Sequence, residues 1–408
     1  MEIDSRPALA MTRQVLPGHV AELDGIRGIA VLAVVAFHFG GPIPPHSNWI
    51  RIILGSITGM GWLGVSLFFV LSGFLITGIL LKTKQSKNYL KSFYIRRALR
   101  ILPLYYFSVF LFFDVVLPLS KRYFPNNNTV HAWAAACGPF EQLWYWFHLS
   151  NFRSAFGVLV ASPVGHLWSL ACEEQFYFIW PWIVLLLSET ALSRFCVITI
   201  ASCIGFRFLP IVQTLMASNP DIGRLTPFSA EALLVGAILA IGLTHFRFAE
   251  IAKRWSPLGF FLGSFGLLLA VVFSGSTNFS SGLLPAFGMT SAEAAFFSAI
   301  AYGALNRGRS SLAAIVLRSR VLTQCGKYSY AMYIFQTPIR YVLLIPPIRH
   351  RLTTLGEFTA SILSILIGIA ASYGIARCSW KLIEQPFLKL KDRFAAEPAV
   401  APIPSTAA

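Results

Sequence analysis

The chain has 408 residues, of which 56% are hydrophobic and only 12% are charged, whereas ordinary globular domains carry about 25% charged residues. A soluble protein of this size needs far more polar surface, so the composition excludes a soluble globular fold and indicates a polytopic helical membrane protein. The net charge of +16 is compatible with nucleic-acid binding, but cytoplasmic loops of membrane proteins also collect Lys and Arg. We therefore expect the lipid bilayer as a partner and no nucleic acid.

The first segment of the chain, residues 1–20, lacks a continuous apolar core. We therefore predict no cleavable signal peptide and a cytoplasmic N-terminal segment. The six cysteines show no C-x-x-C spacing, which predicts neither a metal site nor a disulfide framework. They are expected to be small packing residues.

Ten apolar segments are long enough to cross about 30 Å of hydrocarbon, which takes roughly 20 residues of helix. They lie near residues 25–42, 59–81, 101–119, 166–188, 195–217, 228–244, 256–275, 283–304, 328–347 and 357–377. With the N-terminus inside, 24 of the 33 Lys and Arg residues fall in cytoplasmic segments and 7 in outer loops, as the positive-inside rule requires. The expected fold is an all-α polytopic membrane protein of about ten transmembrane helices, with both termini cytoplasmic.

The remaining segments complete the predicted domain organisation. Residues 132–149 are apolar and aromatic, but Gly138-Pro139 interrupts them and Glu141 adds a charge, so we expect an interfacial or re-entrant segment. The membrane domain is predicted over residues 21–390, followed by a disordered Ala/Pro-rich tail over 391–408. No second soluble domain follows in this sequence, so the membrane domain is expected to perform any chemistry.

The first group of candidate functional residues lies on the first predicted span. Arg27 and His38 are 11 residues apart, which places them within about 20° of each other on one helix face and about 16 Å apart along its axis. Arg27 is expected at the cytoplasmic mouth and His38 well into the membrane, with Asp24 one turn before Arg27. An ionisable residue inside a span indicates a functional site; the alternative is a snorkelling arginine and a histidine bonded to a helix carbonyl.

The second group is the arginine cluster in FYIRRALRILPLYYF, formed by Arg96, Arg97 and Arg100. A planar guanidinium binds phosphate through two parallel hydrogen bonds, so this cluster is predicted to hold the phosphates of a cytoplasmic nucleotide-bearing donor such as coenzyme A. The alternative is that it is simply the most basic cytoplasmic loop.

The third group lies in HLWSLACEEQFYFIWP, where His166, Ser169, Glu173 and Tyr177 are spaced to share one helix face. Glu174 points away from that face. A carboxylate placed this deep is costly unless it is paired or protonated, so a catalytic role and a structural ion pair both remain possible interpretations.

Weaker signals occur later in the chain. They are Glu231, a tyrosine-rich stretch and a glutamate before a proline, and helix packing or interfacial anchoring explains any one of them. The tyrosines are Tyr328, Tyr330 and Tyr333, and the glutamate is Glu384.

Taken in chain order, four stretches of the sequence resemble acyltransferase family 3 of integral membrane O-acyltransferases, over roughly residues 21–390. LDGIRGIAVLAVVAFH is similar to the family's opening helix, with Arg27 and His38 in its Arg-x10-His pattern, and GWLGVSLFFVLSGFLIT is similar to the second helix, including Ser72. FYIRRALRILPLYY resembles the arginine-rich entry to the third helix, and HLWSLACEEQFYFIWP resembles the Trp-Ser-Leu…Glu-x-x-Phe-Tyr block. The resemblance is to members made of the membrane domain alone, without a fused SGNH domain.

Three positions depart from the family pattern. Ala171 stands where a serine is frequent, Ser229 stands where an arginine is common, and Gln336 replaces a histidine that usually precedes the proline of the tyrosine-rich helix. These departures suggest a divergent acceptor site.

The resemblance implies transfer of an acyl group, acetyl being expected, from cytoplasmic acyl-CoA to a hydroxyl of an envelope or exported glycan, or of a secondary metabolite. His38 would be the general base or would itself be acylated, with Arg27, Asp24 and Glu173 supporting it. Acyl-CoA would be a co-substrate, with no tightly bound cofactor and no metal, and the enzyme would lie in a bacterial cytoplasmic membrane. Residues expected to bind or orient the acceptor are Ser72, Ser169, Tyr177 and Glu231.

Two other classes of protein fit parts of the pattern. A proton-coupled secondary transporter would use His38, Glu173 and Glu231 as a proton relay and the basic mouth to recruit an anionic or glycan-related solute. A sensor or scaffold would use the same charges to tune helix packing. Inverted repeats and paired broken helices would favour the transporter interpretation, and neither pattern is clear in the sequence.

Overall fold

The computed structural model describes residues 19–40, 49–156, 162–278, 282–308 and 310–397, and within these ranges every regular element is helical. Most of the predicted N-terminal segment and the last part of the predicted tail lie outside the described residues. The α-helices are α1 (Ala21–Phe39), α2 (Trp49–Gly59), α3 (Leu63–Thr83), α4 (Tyr89–Phe110), α5 (Leu117–Tyr123), α6 (Asn128–Ala136), α7 (Pro139–Trp146), α8 (Ser150–Phe156), α9 (Trp168–Leu186), α10 (Glu189–Phe208), α11 (Pro210–Ser218), α12 (Thr226–Gly242), α13 (Phe246–Ser274), α14 (Met289–Leu305), α15 (Leu312–Leu317), α16 (Arg320–Lys327), α17 (Ser329–Leu343), α18 (Pro346–Thr353), α19 (Glu357–Ser379) and α20 (Gln385–Leu390).

Wide or tight helical turns join several of these helices into longer ones. A π turn connects α4 to α5, another opens α14, and a third connects α19 to α20. Short 3-10 turns precede α9 and α12 and follow α20. Helix interruptions of this kind are tolerated in lipid only where the freed backbone groups find other partners.

Six of the helical stretches in the described residues are long and apolar enough to cross a membrane, which makes the chain a multi-pass integral membrane protein. They are Leu63–Thr83, Tyr89–Tyr123, Glu189–Phe208, Phe246–Ser274, Leu284–Leu305 and Glu357–Leu390. The other predicted spans correspond to α1, α9, α12 and α17, which are shorter or carry more charge. The predicted all-helical membrane class is therefore confirmed. Length and composition identify six candidate spans among the described residues, and the count of about ten stays a prediction.

The predicted span at 195–217 is interrupted in the structure. Helix α10 ends at Phe208, Leu209 is extended, and α11 starts at Pro210, its first residue. Proline fixes its own backbone angle, lacks the N–H of a helix interior and disfavours a helical residue before it. The proline therefore divides one predicted span into two helices.

Two other predicted segments are resolved into helices. Residues 132–149 form the end of α6, then α7, with a break at Cys137 and Gly138 where the Gly-Pro pair stands. At the C-terminus, Lys391–Phe394 form a 3-10 turn, and Ser92 donates a hydrogen bond of 2.8 Å to the carbonyl of Phe394. The start of the predicted tail is thus helical and contacts α4, whereas residues 398–408 lie outside the described residues, where the disordered tail stays a prediction.

Close backbone packing between α3 and α12 forms the centre of the helical bundle. A Cβ atom on Gly73 would lie 1.8 Å from the carbonyl oxygen of Leu233, and one on Gly236 would lie 1.8 Å from that of Val70. Small residues at such crossings let two membrane helices approach until their backbones touch. Only glycine fits at either position, so the two glycines determine the distance between these helices.

We predict that Gly73→Ala lowers stability, because the added methyl group meets backbone rather than a movable side chain. Overpacking of this kind costs about 1–3 kcal/mol, which should appear as a lower Tm of the purified protein in detergent. Gly205→Ala in α10 is the matched control, since a Cβ atom at that position would have nothing within 4 Å of it. Equal Tm values for Gly73→Ala and wild type would contradict this account of the crossing.

Candidate active site

Helix α1 carries a charged residue near one end and a histidine at the other. Arg27 donates a hydrogen bond of 2.9 Å from Nη1 to Oδ1 of Asp24, and the other oxygen of Asp24 lies 2.6 Å from Nε2 of His19. His38 is the last residue but one of α1, so it lies at the end of the helix rather than in the middle of a longer span. The two predicted residues therefore mark the two ends of α1.

Arg27 lines a small cavity of about 100 Å³, which we call the arginine cavity. Its walls come from α1, α3, α4, α9 and α17. The residues that line it are Arg27, Val65, Phe68, Phe69, Ser72, Arg97, Arg100, Ile101, Ser169, Leu170, Glu173, Tyr177, Ser329, Tyr330 and Tyr333. The structure thus brings together seven of the predicted site residues, whereas Arg96 does not line this cavity.

Specific contacts fix the acidic and basic groups of the arginine cavity. Ser72 donates a hydrogen bond of 2.8 Å to Oε1 of Glu173, and the guanidinium of Arg97 lies 5.1 Å from the ring centre of Tyr177, within cation–π range. Glu173 also interacts electrostatically with Arg97 and Arg27. The carboxylate therefore bonds to a hydroxyl on α3 and interacts electrostatically with guanidinium groups on α4 and α1.

Glu173 and the arginines reach this cavity from different helices. Glu173 is the sixth residue of α9, which starts at Trp168, and Arg97 is the ninth residue of α4. Both side chains therefore lie inside their helices, and they line one cavity together with Arg27 and Arg100.

A second and larger cavity of about 410 Å³, the histidine cavity, contains His38. Aromatic rings and charged side chains both contribute to its wall. Its polar and charged lining residues are His38, Ser66, Ser162, His166, Arg207, Asp221, Arg224, Ser229, Asn278, Glu293, Thr337 and Arg340, and its aromatic ones are Phe37, Trp62, Phe69, Trp168, Phe228, Tyr333 and Tyr341.

A backbone contact determines the tautomer of His38. Its Nδ1 lies 2.9 Å from the carbonyl oxygen of Val34, and because a carbonyl can only accept, Nδ1 carries the proton in the neutral ring. The lone pair is then on Nε2, and a neutral imidazole of this kind can accept a proton from a hydroxyl. A hydrogen bond to a helix carbonyl is also what a purely structural histidine would form. Here the same bond leaves the lone pair on Nε2, so it is compatible with His38 acting as a general base.

The two cavities are adjacent, because Val65, Phe69 and Tyr333 line both. The Tyr333 hydroxyl lies 2.5 Å from Oγ of Ser169 and donates to the carbonyl of His166 at 3.0 Å. Ser169 and Tyr333 are both buried. These contacts place a hydroxyl pair at the boundary between a chamber with three arginines and a chamber with the histidine.

Glu231 takes part in a buried ionic cluster rather than standing open to a ligand. Its carboxylate pairs with the guanidinium of Arg207, and Glu293 interacts with both. All three are at most 3% exposed, and Arg207 and Glu293 line the histidine cavity while Glu231 lies behind them. Glu231 thus holds Arg207 at the chamber wall, and its role in binding the acceptor stays a prediction.

Several charged residues of the histidine cavity were not among the predicted site residues. Arg224 pairs with Asp221 at 2.7 Å and lies 5.5 Å from the ring centre of Trp168. Arg207 and Arg340 fall inside predicted spans, and that location was a usable signal, because charges inside spans are costly and mark functional sites. Asp221 and Arg224 lie in a predicted loop, where the sequence offers no such signal.

The three departures from the family pattern fall at different places. Ser229 lines the histidine cavity, so its small side chain enlarges the chamber where an arginine would reduce it. Ala171 and Gln336 are fully buried and line neither cavity. The variation at Ser229 is thus the one that changes the shape of the chamber wall.

The fold and the cavities define a multi-pass helical membrane protein whose apolar bundle encloses two adjacent chambers with ionisable walls. Sequence comparison places it more narrowly: the chain belongs to acyltransferase family 3, whose family model, described as an acyltransferase domain, matches residues 20–377. The resemblance seen in the sequence is therefore confirmed. No solved structure matches the chain.

Curated relatives of the chain include bacterial O-acetyltransferases. It is 29% identical to the peptidoglycan O-acetyltransferase OatA of Listeria monocytogenes, over 91% of this chain and 56% of the relative. It is 28% identical to a putative O-acetyltransferase of Staphylococcus aureus strain COL, over 91% and 58%, and 27% identical to the O-acetyltransferase OatA of S. aureus NCTC 8325, over 83% and 53%. The chain thus spans little more than half the length of these relatives.

The buried Arg207 cluster supplies a stability prediction. Replacing Arg207 by Met should destabilise the protein by about 3–5 kcal/mol, because it leaves buried carboxylates without their counter-charge. The measurement is Tm in detergent together with the folded yield. Arg194→Met removes an exposed arginine of the same helix and should leave both unchanged. If the two variants behave alike, the cluster does not hold α10 against α12.

Proposed function

We propose that the protein is an O-acyltransferase that moves an acyl group, acetyl in the first instance, from cytoplasmic acyl-CoA to a hydroxyl of a glycan. The observation that carries this proposal is the pair of adjacent cavities, one with three arginines and one with His38, in a chain of the acyltransferase family. A reaction between a polyanionic donor and a hydroxyl acceptor needs two such neighbouring environments.

The arginine cavity is assigned to the donor. Arg27, Arg97 and Arg100 line it, and planar guanidinium groups are suited to phosphate oxygens. With its phosphates at this chamber, coenzyme A would extend its thiol-bearing arm along α1. The thioester would then lie at the boundary marked by Ser169 and Tyr333, on the side facing His38. The chamber of about 100 Å³ accommodates part of the donor, the rest remaining in the cytoplasm.

The transfer step is assigned to His38. Nε2 removes the proton of the acceptor hydroxyl while the hydroxyl oxygen attacks the thioester carbonyl. The carbon–sulfur bond breaks, the coenzyme A thiolate leaves, and it takes a proton from the histidine. In the two-step variant, Nε2 first attacks the thioester and the acyl-imidazole is then attacked by the acceptor. Glu173, held by Ser72, keeps Arg97 and Arg27 oriented toward the donor.

The histidine cavity is assigned to the acceptor. Its wall combines aromatic rings with polar and charged groups, and in ligand sites such polar groups fix the orientation of the ligand while the rings provide contact area. The relatives named as peptidoglycan O-acetyltransferase and O-acetyltransferase make an envelope glycan the first acceptor to test.

The proposed topology has ten membrane passages with both termini in the cytoplasm of a bacterial cell. The six long helices would be joined by α1, α9, α12 and α17, which are buried against neighbouring helices and thus need less lipid-facing apolar length. The distribution of Lys and Arg supports this orientation. It directs the arginine cavity to the cytoplasm and the histidine cavity to the outer face of the cytoplasmic membrane.

His38→Ala should abolish acyl transfer while leaving the protein folded. Purified wild type and variant in detergent are incubated with radiolabelled acetyl-CoA and a glycan-lipid extract, and label in the glycan fraction is counted. Loss of a general base costs about 10²–10⁴-fold in rate, and more if the imidazole is acylated. His131→Ala, at an exposed position of α6, is the control and should retain full transfer.

Either of two results in this assay would overturn a specific part of the proposal. A folded, active His38→Ala protein removes the histidine from the chemistry. If wild type consumes neither acetyl-CoA nor succinyl-CoA nor longer acyl-CoA donors, the enzyme assignment fails, and uptake of an anionic solute by proteoliposomes becomes the assay for a transporter.

Arg97→Ala and Arg100→Ala should mainly raise KM for acyl-CoA, since each removes a charge-assisted contact worth about 1.5–3 kcal/mol, or about 10- to 150-fold. Arg96→Ala is the matched control in the same cluster, because Arg96 does not line the arginine cavity. KM is measured for acetyl-CoA at saturating acceptor. Equal KM values for the three variants would mean that the arginine cluster does not bind the donor and only contributes positive charge to a cytoplasmic loop.

A further inference from the structure

The charges on the wall of the histidine cavity are not evenly compensated. Arg207 pairs with Glu231, and Arg224 pairs with Asp221. The third lining arginine, Arg340 on α17, forms no ion pair with any carboxylate in the described parts of the chain. Among these three arginines, Arg340 is therefore the one without an ion pair in the described parts of the chain.

A buried polar group lies beside Arg340 on the same helix. Thr337 is one turn earlier on α17 and also lines the chamber, its side chain is 6% exposed, and among the described residues its hydroxyl has no hydrogen-bond partner. Leaving a buried hydroxyl unpaired costs stability. The Thr337 hydroxyl is a hydrogen-bond donor without an acceptor, and the Arg340 guanidinium is a cation without an ion pair. Because they lie one turn apart on the same wall, the two groups can bind one anion together.

Arg340 lines the same chamber as the histidine proposed to carry the reaction. His38 and Arg340 lie on different helices, α1 and α17, and both contribute to the chamber wall. An anionic group held by Arg340 would therefore be bound in the chamber that contains the proposed base.

We propose that Arg340, with Thr337, binds a carboxylate or phosphate group of the acceptor glycan and thereby selects anionic acceptors. The inference rests on the proposed function, since it concerns the acceptor of that same reaction. The guanidinium donates to two oxygens of the anion side by side, and the Thr337 hydroxyl donates to one of them. Held at this point, the sugar ring lies among the rings of Trp62, Tyr341 and Phe37, with a hydroxyl directed to Nε2 of His38.

The test is a binding measurement that needs no acyl transfer. Three disaccharides are titrated into detergent-purified protein by calorimetry, without acyl-CoA. They are neutral chitobiose, N-acetylglucosaminyl-N-acetylmuramic acid, which adds a carboxylate, and chitobiose 1-phosphate. We expect wild type to bind at least one anionic disaccharide about 10- to 100-fold more tightly than chitobiose, the range for hydrogen bonds to charged groups.

Variants assign the preference to Arg340. Arg340→Gln should bind all three disaccharides with the affinity of chitobiose, and Arg340→Lys should keep part of the preference, because it keeps the charge but loses the planar fork. Arg349→Gln is the control, since it removes an exposed arginine nearby on α18 that does not line the chamber. The affinities of the carboxylate and the phosphate disaccharide for Arg340→Gln are then compared with those for wild type. The one whose affinity falls more shows whether Arg340 binds a carboxylate or a phosphate.

Equal binding of all three disaccharides by wild type, or an anionic preference that survives in Arg340→Gln, would overturn the inference. The inference would also fail if Arg340→Gln transferred acetyl groups more slowly to neutral and anionic acceptors by the same factor while its affinities for them were unchanged. Arg340 would then act on the reacting atoms rather than on the anion. Failure of the proposed function has a different signature: wild type would bind the anionic disaccharide but transfer label from acetyl-CoA to none of the three.

Discussion

The cost of placing charged side chains inside an apolar helical bundle is the constraint on which this structure depends. Such groups persist inside membrane proteins when they pair with one another or face a polar cavity. Both solutions occur here: Arg207 pairs with Glu231 across α10 and α12, and Ser72 binds Glu173 across α3 and α9. The interactions that satisfy the buried charges are thus also the ones that hold the helices around the two chambers.

Helix α3 links backbone packing to site geometry. Ser72 contacts Glu173, and the next residue, Gly73, lets α12 approach until the backbones touch. Helix α12 in turn supplies Glu231, which holds Arg207 at the wall of the histidine cavity. A change in the crossing of α3 and α12 would therefore shift side chains in both chambers. The adjacent residues Ser72 and Gly73 thus link the site geometry to the helix packing.

Hydrophobic segments and helical spacing were enough to predict the class of fold and the main cluster of polar residues. The faces shared by Ser169, Glu173 and Tyr177 follow from a 3.6-residue period, and these side chains do line one cavity. The contact of Glu173 with Ser72 and the pairing of Glu231 with Arg207 could not be predicted, because both depend on which helices become neighbours. One sequence contains no information about contacts between distant helices beyond composition and order.

The two chambers differ in how their arginines are arranged, and this difference bears on their ligands. In the arginine cavity, Arg27 is bonded to Asp24, while Arg97 and Arg100 lie one turn apart on α4 with Glu173 as the acidic residue of the wall. In the histidine cavity, Arg207 and Arg224 are paired with carboxylates, and Arg340 forms no ion pair in the described residues. Two arginines one turn apart suit a ligand with more than one phosphate, whereas a single arginine without an ion pair suits a ligand with one anionic group. A donor with several phosphates and an acceptor with one anionic group would therefore be bound on opposite sides of the Ser169–Tyr333 boundary.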